Sequence, residues 1–181
     1  MPQTGLIVRV AEAEPHVAHL RDRFHPVAKL GVPAHITVLY PFMPPERIDR
    51  DVVQRIQDAI AGIAAFPFTL GVVGRFPATA YLAPEPAAPF IALTQSLAQA
   101  FPDYPPFGGE FETIIPHLSV AHGSASDADT AQAELSQALA EKGPIHSVCS
   151  AVVLLENASG VWKQMQVFPL APSPAADGPP R

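Results

Sequence analysis

Two stretches of this chain carry a histidine and a hydroxyl residue two positions apart inside an apolar run. The stretches are PAHITVLYPF (33–42) and IIPHLSVAHG (114–123). Successive side chains of a β-strand point to opposite faces. His35 and Thr37 are therefore expected to share one face of a strand, and His117 and Ser119 to share one face of another. Each strand would direct an imidazole and a hydroxyl into the same space, which is more than an ordinary amphipathic strand requires.

The two stretches occupy matching places in a repeated order of elements. Apolar periodicity in each half predicts a helix, the histidine strand, a second helix and two further strands. APEPAAP (83–89) is interpreted as the linker between the halves. In the second half, Ser126 and Asp129 resemble a capping box, and SVCSAVVLLE (147–156) is predicted to form one strand. If the halves are duplicated, a pseudo-two-fold axis would bring the two histidine strands toward one cleft.

Charge limits the class of partner. The chain has 11 Lys and Arg residues and a formal net charge of −6. Proteins that grip long nucleic acids usually carry a basic face, because phosphate contacts dominate their affinity. No basic run is present, so no extended nucleic-acid surface is expected. A small nucleotide or an oligonucleotide end is the more suitable phosphate-bearing partner, and we expect a monomer.

Cysteine usage and hydropathy suggest the compartment. Cys149 is the only cysteine, which excludes an intramolecular disulfide and a structural zinc site built on paired cysteines. No apolar run approaches the roughly 20 residues of a membrane span, and the N-terminus does not resemble a secretory signal. We therefore expect a cytoplasmic protein. The Pro- and Ala-rich segment 171–181 is predicted to be a disordered tail.

The paired motifs resemble a known family. HITV and HLSV, one in each half, are similar to the two His-hydrophobic-Thr/Ser-hydrophobic (HxTx) motifs of the two-histidine (2H) phosphoesterase superfamily. Its best-known branch is the bacterial 2'-5' RNA ligase-like, or RNA 2',3'-cyclic phosphodiesterase, group, which acts in RNA processing. YPF, VGRFP, YLAPEP and YPPFGG also resemble stretches of a bacterial branch. Ser119 departs from the commoner Thr, and no Arg or Lys closely follows the second motif.

The resemblance implies a fold and a domain organisation. It implies a bilobal α+β fold in which duplicated antiparallel sheets line a central cleft and helices cover the outside. A single domain would span residues 1–170, with lobes at about 1–85 and 86–170 and interleaving between them left open. The resemblance also implies a site that needs no metal and no other cofactor.

The residue types suit the hydrolysis of a 2',3'-cyclic phosphate. Ring opening requires a base to deprotonate water on one side of phosphorus and an acid to protonate the departing ribose oxygen on the other. Imidazole has an unperturbed pKa of about 6.5, so His35 and His117 can fill both roles. Thr37 and Ser119 can donate hydrogen bonds to the non-bridging oxygens, where charge builds up. The resemblance implies His35 as acid and His117 as base, whereas the sequence itself leaves the swap open.

Further candidate contacts surround the motifs. Aromatic rings suit base stacking, although core packing is the plainer interpretation for each of them. Arg75 is a candidate phosphate contact or a solvated strand end, and His122 is a candidate for the cleft rim. His25 is interpreted as structural or exposed and Trp162 as core. The aromatic candidates are Tyr40, Phe42, Tyr81, Tyr104 and Phe107.

Three other functions stay open. One is the reverse reaction, 2'-5' RNA ligation, against which the acidic composition argues. The second is a non-catalytic module that binds nucleotides or phosphorylated ligands. The last is a metallohydrolase, which ranks lowest because only Glu110 and Glu112 supply carboxylates near the motifs.

Overall fold

The chain folds into eight β-strands and four α-helices in a computed structural model that describes residues 1–174. The strands are β1 (Thr4–Arg9), β2 (His35–Leu39), β3 (Phe66–Phe76), β4 (Thr79–Glu85), β5 (Leu118–His122), β6 (Ile145–Cys149), β7 (Ala151–Glu156) and β8 (Lys163–Pro169). The helices are α1 (Glu14–Phe24), α2 (Arg50–Ile60), α3 (Ala88–Ala100) and α4 (Ala125–Lys142).

The strands form two antiparallel sheets that draw on both halves of the chain. The first sheet has the order β2-β1-β7-β8, and the second has the order β5-β4-β3-β6. The α+β fold with paired antiparallel sheets is therefore confirmed. The lobes do not divide at residues 85 and 86, because β3 and β4 join the sheet of the second motif while β7 and β8 join that of the first. The interleaved arrangement is the one the chain adopts.

Helices cover one face of each sheet. α2 packs on β8 and on α3, which also covers β2, whereas α4 packs on β3, β4 and β5. α1 precedes β2 in the chain, but it packs on the other sheet, against β5, and on α4. One continuous core joins the helix-facing sides of both sheets, with Leu6, Ile36, Phe90, Leu97 and Leu118 among its fully buried members. Burial of such side chains contributes roughly 1.5–3 kcal/mol each.

Helix starts follow capping chemistry. The Asp49 side chain accepts a hydrogen bond from the backbone N–H of Val52 at the start of α2. In α4 the cap is Ser124, whose hydroxyl accepts from the N–H of Asp127, so the predicted capping box at Ser126 was placed two residues too late. A hydroxyl in this position satisfies an N–H that has no partner within the helix.

Two predicted segments differ in the structure. APEPAAP is not a linker, because β4 continues to Glu85 and α3 begins at Ala88. SVCSAVVLLE is not one strand either, since the chain leaves the second sheet after Cys149 and enters the first at Ala151. An apolar run bends between sheets at Ser150 because each part finds a different partner strand.

The start of the predicted tail is held against the body. Ala171 forms a bridge with Ala64, its carbonyl accepts from the N–H of Ala65, and the Ser173 hydroxyl donates to the carbonyl of Ala65. A disordered tail therefore does not begin at residue 171, and residues 175–181 lie outside the described part of the chain. Within residues 1–174, no helix is long and apolar enough to cross a membrane.

Candidate active site

The two histidines lie at neighbouring edges of the two sheets. β2 is an edge strand of the first sheet and β5 is an edge strand of the second, and these strands lie against each other. His35 opens β2, and His117 immediately precedes β5. The charge of His117 is also the smallest of the influences that lower the pKa of His35. The fold thus places the two motifs on contacting edge strands of the two sheets.

A hydrogen bond from Nδ1 to a backbone carbonyl two residues earlier orients each imidazole. Nδ1 of His35 donates to the carbonyl of Pro33 at 2.8 Å, and Nδ1 of His117 donates to the carbonyl of Ile115 at 2.7 Å. Because a carbonyl can only accept, each bond places the ring hydrogen on Nδ1 and leaves Nε2 with its lone pair. Each histidine therefore presents Nε2 as its reactive nitrogen.

Burial favours the neutral form of both rings. It lowers the pKa of His35 to about 4, against the raising effect of the Pro33 carbonyl, and the charges of Arg21 and His117 lower it further. Burial also lowers the pKa of His117 from 6.5, opposed by the Ile115 carbonyl and assisted by His122. Low-polarity surroundings penalise the charged imidazolium. A bound anion would reverse part of this effect in both rings.

The hydroxyl residues accompany the histidines as the strand pattern predicted. Thr37 lines a pocket together with His35. Ser119 pairs with Tyr81 across β5 and β4, and Tyr81 contacts the His117 ring. Neither hydroxyl forms a hydrogen bond within residues 1–174. Both are therefore available as donors to a ligand.

Aromatic rings surround His117. The ring centroids of Phe76 and Tyr81 each lie 5.3 Å from that of His117, and the Phe107 ring is stacked on it at 6.4 Å. Phe107 adopts a φ of 52°, which is uncommon for a residue with a side chain. Its N–H donates to the Tyr40 carbonyl at 2.7 Å, which ties the loop to the end of β2. Tyr81 and Phe107 are thus placed beside the site.

An apolar pocket of about 130 Å³ lies beside His35. Tyr40 was predicted to contact a ligand and lies here, with its ring edge-on to Trp162 at 6.0 Å and its hydroxyl donating to Gln3. Trp162 was expected in the core, but it is only partly buried and closes the pocket. The remaining lining residues are Ile7, Val27, Val32 and Leu155.

Three predicted contacts lie elsewhere. Phe42 is buried in the main core and packs edge-on against Phe101 and Tyr104. Tyr104 accepts a hydrogen bond from Arg47 and lines a separate pocket of about 330 Å³ between α2 and the end of α3. Arg75 binds Asp129 at 2.6 Å and the carbonyls of Phe76, Pro77 and Ala125, so its guanidinium anchors the start of α4.

Two further histidines adjoin the cleft. His122 is exposed, and its Nδ1 lies 2.8 Å from the hydroxyl of Thr79, consistent with a position at the rim. His25 is buried, and its ring centroid lies 6.1 Å from that of His122. Burial lowers the pKa of His25 to about 3, with smaller contributions from Arg21 and the three nearby imidazoles. A single histidine after a helix carries no sequence signal for this placement.

Gly74 provides the space for the Tyr81 ring. A Cβ at this position would lie 2.2 Å from two ring carbons of Tyr81. We expect Gly74→Ala to lower the free energy of unfolding by about 1–3 kcal/mol, as overpacking does, and to shift the His117 imidazole resonances in NMR spectra. Gly62→Ala is the matched control, because a Cβ there meets no atom within 4 Å. Unchanged His117 resonances in a destabilised Gly74→Ala variant would contradict the role of Tyr81.

No metal site is evident in the described part of the chain. Within residues 1–174, no group of three or more His, Cys, Asp or Glu side chains is arranged to hold a metal ion. Glu110 and Glu112 are exposed on the loop before β5.

Two imidazoles on the facing edges of paired antiparallel sheets, each beside a hydroxyl, define the architecture of the two-histidine phosphoesterases. The sequence model of the 2'-5' RNA ligase superfamily matches residues 10–160. This chain belongs to that superfamily, whose members are phosphoesterase and ligase-like enzymes. None of the curated proteins matches the chain.

Solved structures show the same fold at low sequence identity. The protein TT0787 of Thermus thermophilus superposes with a TM-score of 0.62 at 15% identity, covering 95% of this chain and 100% of that one. A structure described as a phosphoesterase gives 0.58 at 17% identity, covering 94% and 99%. E. coli LigT complexed with 3'-AMP gives 0.55 at 15% identity, covering 94% and 98%.

Proposed function

We propose that this protein is a metal-independent phosphoesterase that hydrolyses a 2',3'-cyclic phosphate or a related small phosphodiester. The observation that supports the proposal is the pair of imidazoles on contacting edge strands, both held by Nδ1 and both without an Nε2 partner within residues 1–174. Two such groups can act on opposite sides of one phosphorus atom. Membership of a phosphoesterase and ligase-like superfamily supports the same chemistry. The expected partner is a nucleotide or an oligonucleotide end, with no cofactor.

The reaction needs one proton accepted and one donated. Nε2 of the neutral histidine accepts a proton from water as the water oxygen bonds to phosphorus. The bond from phosphorus to one ribose oxygen breaks, and Nε2–H of the protonated histidine donates to that oxygen. Thr37 and Ser119 donate hydrogen bonds to the non-bridging oxygens as negative charge increases there. The product is a phosphomonoester and a free hydroxyl.

The surroundings of the two rings favour one assignment of roles. Burial, together with the charge of Arg21, holds the pKa of His35 at about 4, whereas the shift of His117 is smaller. A pKa of about 4 at His35 supports His117 as the residue that carries the proton of the singly protonated site. This favours His117 as the acid and His35 as the base, the reverse of the order that the family resemblance implies.

The activity is tested with nucleoside 2',3'-cyclic phosphates, oligonucleotides that end in a cyclic phosphate, and ADP-ribose cyclic phosphate. Assays in EDTA distinguish the proposed chemistry from that of a metallohydrolase. Hydrolysis that persists in EDTA supports the proposal. Binding of these compounds without turnover would contradict it and favour a non-catalytic nucleotide-binding module. A 2'-5' linked product from RNA ends would instead indicate ligation.

The pH dependence of kcat/KM follows from the lowered pKa values. Activity requires one protonated and one neutral imidazole, and this form is most abundant between the two pKa values of the free enzyme. These lie at about 4 for His35 and below 6.5 for His117. We expect a bell-shaped profile with its maximum below pH 6.5, falling roughly tenfold per pH unit on the alkaline limb. A profile that stays flat from pH 5 to 8 would contradict catalysis by this pair.

A further inference from the structure

Helix α1 holds the segment that leads into the first histidine. Glu14 and Arg21 lie two turns apart on this helix and therefore on one face. The carboxylate of Glu14 accepts from the N–H of Ala34 at 2.7 Å, and Nη2 of Arg21 donates to the carbonyl of Val32 at 2.9 Å. Segment 32–34 is thus bound to α1 at both of its ends.

The attachment of segment 32–34 to α1 affects His35 through one residue, Pro33. Pro33 lies between the two anchored residues, and its carbonyl is the group that orients the His35 ring. The backbone of Ala34 is also fixed from β1, since its carbonyl accepts from the N–H of Val10 at 2.9 Å. A shift of Val32 would therefore move the Pro33 carbonyl and release the Nδ1 bond that sets the tautomer of His35.

The second histidine has no equivalent attachment. Its Nδ1 bond to Ile115 repeats that of His35, but no side chain other than that of His117 bonds the backbone of residues 112–116 in the part of the chain that the structure describes. Ile115 itself is 45% exposed. The two halves of the site therefore differ, with the first histidine fixed by a charged residue and the second supported by aromatic packing.

Burying the charged side chain of Arg21 is energetically unfavourable, which indicates that Arg21 does more than fill space in the core. It is only 3% exposed, its Nε has no hydrogen-bond partner among residues 1–174, and no carboxylate forms an ion pair with it there. An unpaired buried charge is unfavourable, and an apolar side chain of similar volume would fill the space at lower cost. The charge lies behind the cleft, where it also acts on His25 and His35.

We propose that Arg21 is a positioning residue of the active site, which holds His35 through segment 32–34 and leaves a positive charge for an anionic ligand to balance. The inference rests on the proposed function. Glu14 and Asp22 act against the lowering of the Arg21 pKa by burial, but neither forms an ion pair with Arg21 within residues 1–174, and a bound phosphodiester would add further negative charge. Its Nη2 is bound to the backbone and its Nε is buried, so we assign it a positioning role and not a catalytic one.

The test compares Arg21→Gln and Arg21→Lys with Arg23→Gln. Arg23 lies on the same helix in an exposed ion pair with Glu134 at 2.8 Å, so its variant also removes one charge from α1. The first readout is the tautomer of His35 and His117 by ¹⁵N NMR, and the second is the affinity for inorganic phosphate. Both are measured at pH 7 on the full chain without substrate, so they do not depend on turnover.

We expect Arg21→Gln to mix the tautomers of His35, to leave His117 unchanged, and to weaken phosphate binding about tenfold. Arg21→Lys should restore most of the phosphate affinity, because it keeps the charge. Removing the charge raises the pKa of His35, so the acidic limb of kcat/KM should move to higher pH in Arg21→Gln alone. Arg23→Gln should stay within twofold of the wild type in every measurement.

A wild-type His35 tautomer together with unchanged phosphate affinity in Arg21→Gln would overturn the inference. If Arg21→Gln does not fold, Glu14→Ala removes the other attachment of segment 32–34, and a single Nδ1–H tautomer of His35 in that variant would overturn it instead. Absence of hydrolysis in the wild type would disprove the proposed function alone, because the NMR and binding comparisons would still decide the role of Arg21.

Discussion

His35→Ala and His117→Ala are each expected to lower kcat for a 2',3'-cyclic nucleotide by roughly 10²–10⁴-fold, the contribution typical of a general acid or base. Each substitution removes one of the two Nε2 atoms to which the proposed mechanism assigns the proton transfers. The measurement is steady-state hydrolysis in EDTA at pH 6, with folding checked by thermal unfolding. Near-normal turnover in either variant would contradict the proposed two-histidine mechanism.

His146→Ala is the matched control for these variants. His146 is exposed on β6, the edge strand of the second sheet farthest from β5. Its removal is expected to leave turnover within twofold of the wild type. Equal losses in His146→Ala and His117→Ala would point to a general effect of histidine removal on the second sheet.

A phosphodiester with a p-nitrophenolate leaving group separates the two roles. This leaving group departs without protonation, so loss of the general acid matters little while loss of the base still matters. With His117 as acid, His117→Ala should retain far more activity on this substrate than His35→Ala. The opposite order would show that His35 is the acid, as the family resemblance implies.

Acidification is expected to destabilise the fold between pH 6.5 and pH 4. The folded-state pKa values of His25 and His35, about 3 and about 4, lie below the unfolded value of 6.5. In this window the unfolded chain binds more protons than the folded one, so stability is fully present above pH 6.5 and is lost as pH falls. One pKa unit corresponds to 1.36 kcal/mol, and we expect a loss of about 2–3 kcal/mol per histidine by pH 4.

Urea unfolding at pH 7.0, 5.5 and 4.5 measures this effect. His25→Asn removes one of the three histidines whose pKa is lowered and should flatten the dependence of unfolding free energy on pH by less than half. His146→Ala should retain the wild-type slope, because His146 is exposed. A wild-type protein equally stable at pH 7.0 and 4.5 would show that these imidazoles are solvated rather than buried. A small domain with 5–15 kcal/mol of stability would be noticeably weakened by such a loss.

Local sequence pattern predicted the site better than its surroundings. Alternation along a strand fixes the shared face of His35 and Thr37, so the central pair of each motif could be predicted from spacing alone. The partner of each strand is decided by long-range packing. Nothing near Ser150 indicates that Cys149 belongs to one sheet and Ala151 to the other.

The surroundings of the aromatic residues could not be predicted from local sequence pattern either. Phe42 and Tyr40 lie two apart at the end of the same strand, and yet one is buried in the core and the other lines the pocket of His35. Trp162 resembles a core residue in sequence, but it follows a turn and its N–H donates to the carbonyl of Leu30, which places it over the cleft. Arg21 could not be identified from the sequence, because an arginine on a helix is ordinarily solvated.

The single residue that connects β6 to β7 limits how far the two sheets can move apart at this point. Ser150 alone connects strands of different sheets, and one residue spans at most about 3.6 Å. The end of β6 and the start of β7 therefore cannot move apart, and the two sheets stay in contact near Ser150. If the proposed function holds, the loops that carry Phe107 and Trp162 beside the two histidines are the parts to exchange in order to alter substrate range.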